Sequence, residues 1–317
     1  MAKKYLLTFI FSIIGAIAFG QNLPQFTQYI FNQFYFNPGA AGQFNRVQVQ
    51  STVRSQYLGY TGNQGPGGDM LSTAFSIDMP VAKLSGGVGL HFASQNISNA
   101  QNVGELVLSY SFHKRINSSI IGFGVGAGMN SLTLSGEDFV IRDPDDPFIP
   151  GVKMNAMAPQ VNAGIYIVNP SYQIGLSAKN ILESSYTIGN TEGAFAQTRQ
   201  YYLTGKYDLG VSYTLDISPM FLVRSDLTTT TAELGLMATY NQKFWIGANY
   251  RIQDAGSAML GANVLNNKLK IGYAIDVVTT GVKAKSNTSH ELFLRYALSP
   301  LKVGKKSIVK TPRYSIQ

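Results

Sequence analysis

The chain has 317 residues, 45% hydrophobic and 13% charged, with 32 Gly, 18 Tyr, 18 Phe and no Cys. Low charge with abundant aromatics excludes a disordered protein, and the missing thiol excludes a disulfide scaffold, a zinc–thiolate centre and a cysteine nucleophile. The formal charge of +8 is local: without Lys3 and Lys4 at one end and Lys302, Lys305, Lys306, Lys310 and Arg313 at the other, residues 21–300 carry +1, so no nucleic-acid partner is expected.

Residues 1–20 read as a cleaved secretory signal: two lysines, an apolar run from Tyr5 to Phe19, then small residues before Gln21. A bare N-terminal anchor is the alternative, although the run is short for a bilayer span. Residues 21–45 form an aromatic, uncharged segment whose apolar positions do not alternate, so a lipid-facing strand is not expected there. Two readings stand for it, a plug or brace at the periplasmic mouth of a barrel and a docking element for a periplasmic partner.

From residue 46 the pattern has a period of two. Leu106, Leu108, Tyr110 and Phe112 share one face, with Glu105, Val107, Ser109 and Ser111 on the other. Ile121, Phe123, Val125, Ala127 and Met129 oppose Gly122, Gly124, Gly126 and Gly128. Side chains of a strand point alternately to opposite faces, so each such segment has one apolar and one polar or small face. About fourteen segments are predicted: 46–57, 70–79, 86–96, 102–113, 118–134, 154–168, 171–180, 199–215, 219–227, 231–240, 243–253, 256–265, 268–278 and 289–299. Many reach the ~9–11 residues of a tilted transmembrane strand.

A soluble β-sandwich would alternate in the same way, but the connections favour a barrel. Short turns at Pro80–Leu84, Lys114–Asn117, Asn169–Pro170, Asp216–Ser218, Asn241–Gln242 and Asn266–Asn267 alternate with longer loops at Leu58–Asp69, Ser135–Lys153, Ile181–Thr198 and Thr279–Thr288. Outer-membrane barrels have short periplasmic turns, longer outer loops and an even strand count. The expected fold is therefore an all-β transmembrane antiparallel β-barrel (residues 46–299) in the outer membrane. Both termini and a basic tail (300–317) would be periplasmic. Tyr201, Tyr240, Trp245 and Tyr250 are expected in the interfacial girdles, and the glycines of 122–128 are expected to leave room inside for a packed N-terminal segment.

No catalytic or cofactor constellation is found. His91, His113 and His290 form no metal-ligand spacing, and Ser289 and His290, adjacent in one strand, should face opposite ways. The acidic stretch Asp143–Pro144–Asp145–Asp146 is read as a solvated outer loop, with a Ca²⁺ site as the alternative. Glu291 should face the lumen, where Arg54 or Arg251 could pair with it.

The opening Gln25–Phe26–Thr27–Gln28–Tyr29–Ile30–Phe31–Asn32, continued by Asn37–Pro38–Gly39–Ala40–Ala41–Gly42, resembles that of the PorP/SprF family, outer-membrane proteins of the Bacteroidetes type IX secretion and gliding system. Arg54–Ser55–Gln56, Asp78, Trp245 to Arg251, Asp276 and Ser289–His290–Glu291 extend the likeness over nearly the whole mature chain. Gln56–Tyr57 departs from the Gln-Trp common in the family. The residues that carry the resemblance are Gln28, Tyr29, Asn32, Asn37, Pro38, Arg54, Gln56, Asp78, Trp245, Arg251, Asp276, Ser289, His290 and Glu291.

The resemblance implies a non-enzymatic component of the secretion system, without cofactor, that supports export and surface attachment of particular adhesin-like cargo through the cargo's C-terminal signal domain. It also implies partners in the translocon and in periplasmic ring or peptidoglycan-binding components, besides membrane lipid. On this reading the outer loops hold the cargo, with Tyr60, Asn63, Asp143, Asp145, Phe148, Tyr186 and Phe195 as candidate contacts. Lys302, Lys305, Lys306, Lys310 and Arg313 would face the periplasmic machinery. A diffusion channel for small or hydrophobic solutes is the alternative.

Overall fold

A computed structural model describes residues 24–58, 70–98, 101–135, 153–188, 191–280 and 288–298. The signal and tail expectations therefore lie outside the described residues, as do most of the long loops.

The strands run in chain order as β1 (Gln48–Gln56), β2 (Met70–Val81), β3 (Gly86–Ser98), β4 (Gln101–Ile116), β5 (Ser119–Leu134), β6 (Met154–Val168), β7 (Tyr172–Lys179), β8 (Ser185–Ile188), β9 (Thr191–Ala196), β10 (Gln200–Tyr207), β11 (Leu209–Gly210), β12 (Leu215–Ser225), β13 (Thr230–Tyr240), β14 (Phe244–Arg251), β15 (Ala255–Val264), β16 (Leu269–Val278) and β17 (Thr288–Ala297). Neighbours pair antiparallel from β1 through β7, then to β10, and β10 pairs with β12, from which the ladder continues to β17 and back to β1. This closes a 14-strand ring, with β11 an extra two-residue strand on β12. Closure leaves the fourteen-strand ring without an edge, which is what a sheet in hydrocarbon requires.

The predicted alternation holds. Leu106, Leu108, Phe123 and Val125 face out, Leu108 at 64% exposure, while Glu105, Ser109 and Ser111 are buried inside. An exposed apolar surface all round the ring is a liability in water and a match to lipid. The sandwich alternative fails because the sheet closes on itself.

Short turns tie β2 to β3, β4 to β5, β6 to β7, β13 to β14 and β15 to β16 at one end, the turn end. The segment before β1 and the end of β17 lie there too. At the β13–β14 turn, Asn241 and Gln242 both have positive φ, the conformation of a tight I′-like hairpin. The predicted segment 199–215 is not one strand. β10 ends at Tyr207, residues 211–214 make the turn, and Asp216–Ser218 lies within β12. The apolar alternation Leu209, Val211, Tyr213 continues through the turn with its side chains exposed, so period alone hides the break. Its local signal is Ser212, whose Oγ accepts from the Thr214 N–H at 3.3 Å.

Inside the ring lies the N-terminal segment. Every residue from Phe26 to Gln43 is buried. A one-turn helix α1 (Gln33–Phe36) lies between short 3₁₀ turns at Tyr29–Phe31 and Pro38–Ala40. Thr27 meets the lumen near the loop end, beside Asp276 and Glu291, and Gly42 meets it near the turn end, beside Asp78. The segment thus runs along the lumen instead of sitting at one mouth. As expected, the glycines of β5 leave room for it: a Cβ on Gly122 would lie 2.2 Å from the Gly39 carbonyl oxygen, and one on Gly124 2.1 Å from the Gly39 nitrogen. Gly126 and Gly128 instead face groups of β4, next to them.

Candidate functional site

The inward positions of β1, β13, β14, β16 and β17 near the loop end carry Arg54, Glu233, Asn249, Arg251, Asp276 and Glu291, all buried. Alternation fixes their direction, and barrel closure brings them together. Arg54 and Glu291 are register partners across β1 and β17. Arg54 Nη2 lies 2.6 Å from Asp276 Oδ2, and Nη1 lies 3.5 Å from Glu291 Oε2.

The N-terminal segment completes this cluster. Arg54 Nη1 donates to Thr27 Oγ1 at 2.7 Å, and that hydroxyl donates to Asp276 at 2.7 Å. The backbone N–H groups of Thr27 and Gln28 donate to the two oxygens of Glu291 at 2.7 and 2.9 Å. Asn249 donates to the Thr27 carbonyl at 3.0 Å and to Glu233 at 2.8 Å, and Arg251 holds Glu233 and Asp254 at 3.0 Å each. The expected partner of Glu291 is thus Arg54; Arg251 serves Glu233 and Asp254. The hydrogen bonds from the two backbone amides to the Glu291 carboxylate are of the strong, charge-assisted kind, with the Arg54 guanidinium as an ion-pair partner beside them. Removing one member leaves a buried charge uncompensated, at a cost of about 3–5 kcal/mol.

A second polar cluster holds the middle of the segment. Lys179 Nζ lies 2.8 Å from Glu105 Oε1 and 4.0 Å from the Tyr35 ring centroid, and Gln160 donates to Glu105 at 3.1 Å. His91 faces inward, edge-on to Phe34 and Tyr35.

Towards the turn end, Asn37 donates to the Ile165 and Leu176 carbonyls and accepts from the Gly39 N–H. Gly42 N–H donates to Asp78 at 2.8 Å, Gln50 donates to Asn32, and Ser177 donates to the Phe36 carbonyl. Trp245 corrects one expectation. It is not in a girdle but inside, 3% exposed and 4.7 Å from the Phe31 ring centroid. The reason is parity: Phe244, Ile246 and Tyr250 take the lipid face of β14, leaving Trp245 inward over Gly261 and Gly272. Tyr240 and Tyr250 do face out.

The residues carrying the family resemblance therefore converge. Gln28, Tyr29, Asn32, Asn37 and Pro38 lie on the inner segment, and Arg54, Gln56, Asp78, Trp245, Arg251, Asp276, Ser289 and Glu291 point at the lumen. His290 does not; it faces out, its Nδ1 2.6 Å from the Tyr273 hydroxyl, while Ser289 accepts from the Tyr57 N–H inside. Thr27, Glu105, Lys179, Glu233 and Asn249 were not singled out from sequence. Their signal was a polar residue at an inward position of an otherwise apolar strand, and for Thr27 there was none beyond its place in the motif.

Among the candidate cargo contacts, Tyr186 is not a free loop tip. It lies in the β8–β9 hairpin, 4% exposed, packed with Leu132, Leu134, Ala156 and Ala158. Phe195 pairs opposite it through the backbone of β9. Tyr60, Asn63, Asp143, Asp145 and Phe148 lie outside the described residues, as do Lys302, Lys305, Lys306, Lys310 and Arg313. Among the described residues no group of His, Asp or Glu is placed to hold a metal ion.

A family model described as type IX secretion system membrane protein PorP/SprF matches residues 18–296. No curated protein matches the chain. Similar solved structures include the Ralstonia pickettii toluene transporter TbuX (12% identity, TM-score 0.49, 84% of this chain and 93% of that one). A Pseudomonas aeruginosa FadL homologue is similar at 12% identity and TM-score 0.47, covering 87% of this chain and 95% of that one. The CymD monoaromatic hydrocarbon channel follows at 9% identity and TM-score 0.48, covering 89% and 94%.

Proposed function

This chain belongs to the PorP/SprF family of type IX secretion system membrane proteins, and from that premise we propose a non-enzymatic outer-membrane component that holds the C-terminal signal domain of an exported, adhesin-like cargo on its outer loops. The turns, the basic tail and both termini of the barrel wall would face the periplasm, the tail reaching the secretion machinery. Pro24–Gln43 would act as a plug.

The observation that supports a holder over a diffusion channel is the occupied lumen. The segment is bonded to the wall at both ends and in the middle. Gaps beside it, one lined by Phe26, Arg224 and Glu233 and one by Phe34, Asp78 and Arg295, measure about 20 Å³ each, space for roughly one water. A rigid closed barrel leaves recognition to its loops.

The test is to delete the gene in its own host and quantify every type IX cargo at the surface. Loss of one cargo, or a small set, with the others displayed normally supports the proposal. Normal display of all of them overturns it.

A further inference from the structure

Cations line most of the turn end. Arg46 precedes β1, Lys83 lies in the β2–β3 turn, Lys114 and Arg115 lead into the β4–β5 turn, Lys243 lies in the β13–β14 turn and Lys268 in the β15–β16 turn, all exposed. None of the six has a carboxylate within ion-pair distance among the described residues. The described carboxylates at that end are Asp78, turned into the lumen; Asp208, held by Lys206 at 2.9 Å; and Asp216. Residues 299–317, which follow β17, contain no Asp or Glu. The loop end differs: its described, outward cations are Lys153 and Arg199, and Arg199 is paired with Glu183 at 3.2 Å.

A second observation fixes the level of these cations. Tyr207, Tyr240 and Tyr296 stand exposed at the turn ends of β10, β13 and β17. Tyrosines in such a belt sit at the headgroup level of a bilayer. The cations lie at or just beyond that level along the arc from β13 through β17 and β1 to β5, ten of the fourteen strands; the β6–β7 and β10–β12 turns carry none of them, and Asp208 and Asp216 lie at the latter. An arc over ten of fourteen strands meets the lipid around the barrel, whereas a protein partner would be met by a patch on one side.

We propose that this arc binds anionic phospholipid headgroups, selecting them over zwitterionic ones in the leaflet around the turn end. Each basic side chain at a headgroup surface adds an attraction that salt screens within a Debye length. The proposal is independent of the cargo reading and of which side of the membrane the turns face.

The experiment uses the full chain in phosphatidylcholine vesicles, with spin-labelled phosphatidylglycerol or phosphatidylcholine as probe and the motionally restricted fraction as readout. The expected result at low salt is a selectivity for phosphatidylglycerol of about three- to ten-fold, falling towards one at 1 M NaCl. Charge reversal at Lys83→Glu, Lys114→Glu, Arg115→Glu, Lys243→Glu and Lys268→Glu should abolish it, and truncation after Leu298 should leave it. A ratio of one for the unaltered chain at low salt, no loss in the reversed variant, or loss on truncation alone overturns the proposal. If the reversed variant does not fold, the salt titration of the unaltered chain decides.

Discussion

Arg54 and Glu291 face each other across the seam where the first strand of the barrel meets the last, and the amides of Thr27 and Gln28 cap the carboxylate of Glu291 from inside. One buried carboxylate therefore joins three parts of the chain: β1, β17 and the inner segment. Since Asp276 of β16 shares both Arg54 and Thr27, the seam and the segment are held by one network.

Glu291→Gln keeps the shape and removes the charge that Arg54 and two amides address. The expected loss is about 3 kcal/mol, the low end for breaking a buried pair, because Asp276 still compensates Arg54. The urea midpoint of unfolding in detergent, followed by heat-modifiable migration on a gel, measures it. A variant as stable as the parent would show that the network does not hold the seam.

Gly124→Val places side-chain carbon where the backbone of Pro38 and Gly39 lies. The inner segment should be displaced while the wall stays closed. The chain has no cysteine, so Ala40→Cys gives a single thiol, buried in the parent. Maleimide should label it slowly in the parent barrel and at least tenfold faster with Gly124→Val. Gly256→Ala, whose Cβ would meet nothing within 4 Å, is the control expected to change nothing.

The single tryptophan reports the same packing. Trp245 lies against Phe31, which also stacks near Phe293 at 5.5 Å. Phe31→Ala should shift Trp245 emission to the red, increase its quenching by acrylamide and cost about 3–5 kcal/mol, the range for deleting a buried aromatic ring. Unchanged emission would place the indole away from the segment.

Purified protein in a planar bilayer should show no steady conductance, since the segment occupies the lumen. Gly124→Val together with Thr27→Val, which removes the hydroxyl shared by Arg54 and Asp276, should produce open events. A steady open level in the unaltered protein would favour the channel reading.

Much of the barrel was legible in the chain because alternation is a property of the backbone. Leu108 must face away from Ser109 whatever the rest of the protein does, and the short turns at Asn241 and Asn266 are written in residues that accept positive φ. The break inside 199–215 was illegible, since Leu209, Val211 and Tyr213 keep the strand pattern through a turn. Trp245 was misplaced for a related reason. An aromatic near a strand end suits a girdle by composition, and only its parity within β14 assigns it to the lumen.

The sequence by itself determined a closed, lipid-facing sheet of about fourteen strands, an N-terminal segment that is not one of them, and the inward direction of Glu291 towards Arg54 or Arg251. Tertiary structure alone decided which inward groups meet: that Arg54 takes Asp276 and Glu291 while Arg251 takes Glu233, and that Thr27 lies among them. Direction is local and follows from the pleat. Partnership across a lumen depends on ring closure and on the path of a segment more than two hundred residues away in the chain from the carboxylates it binds, and no periodicity encodes that distance.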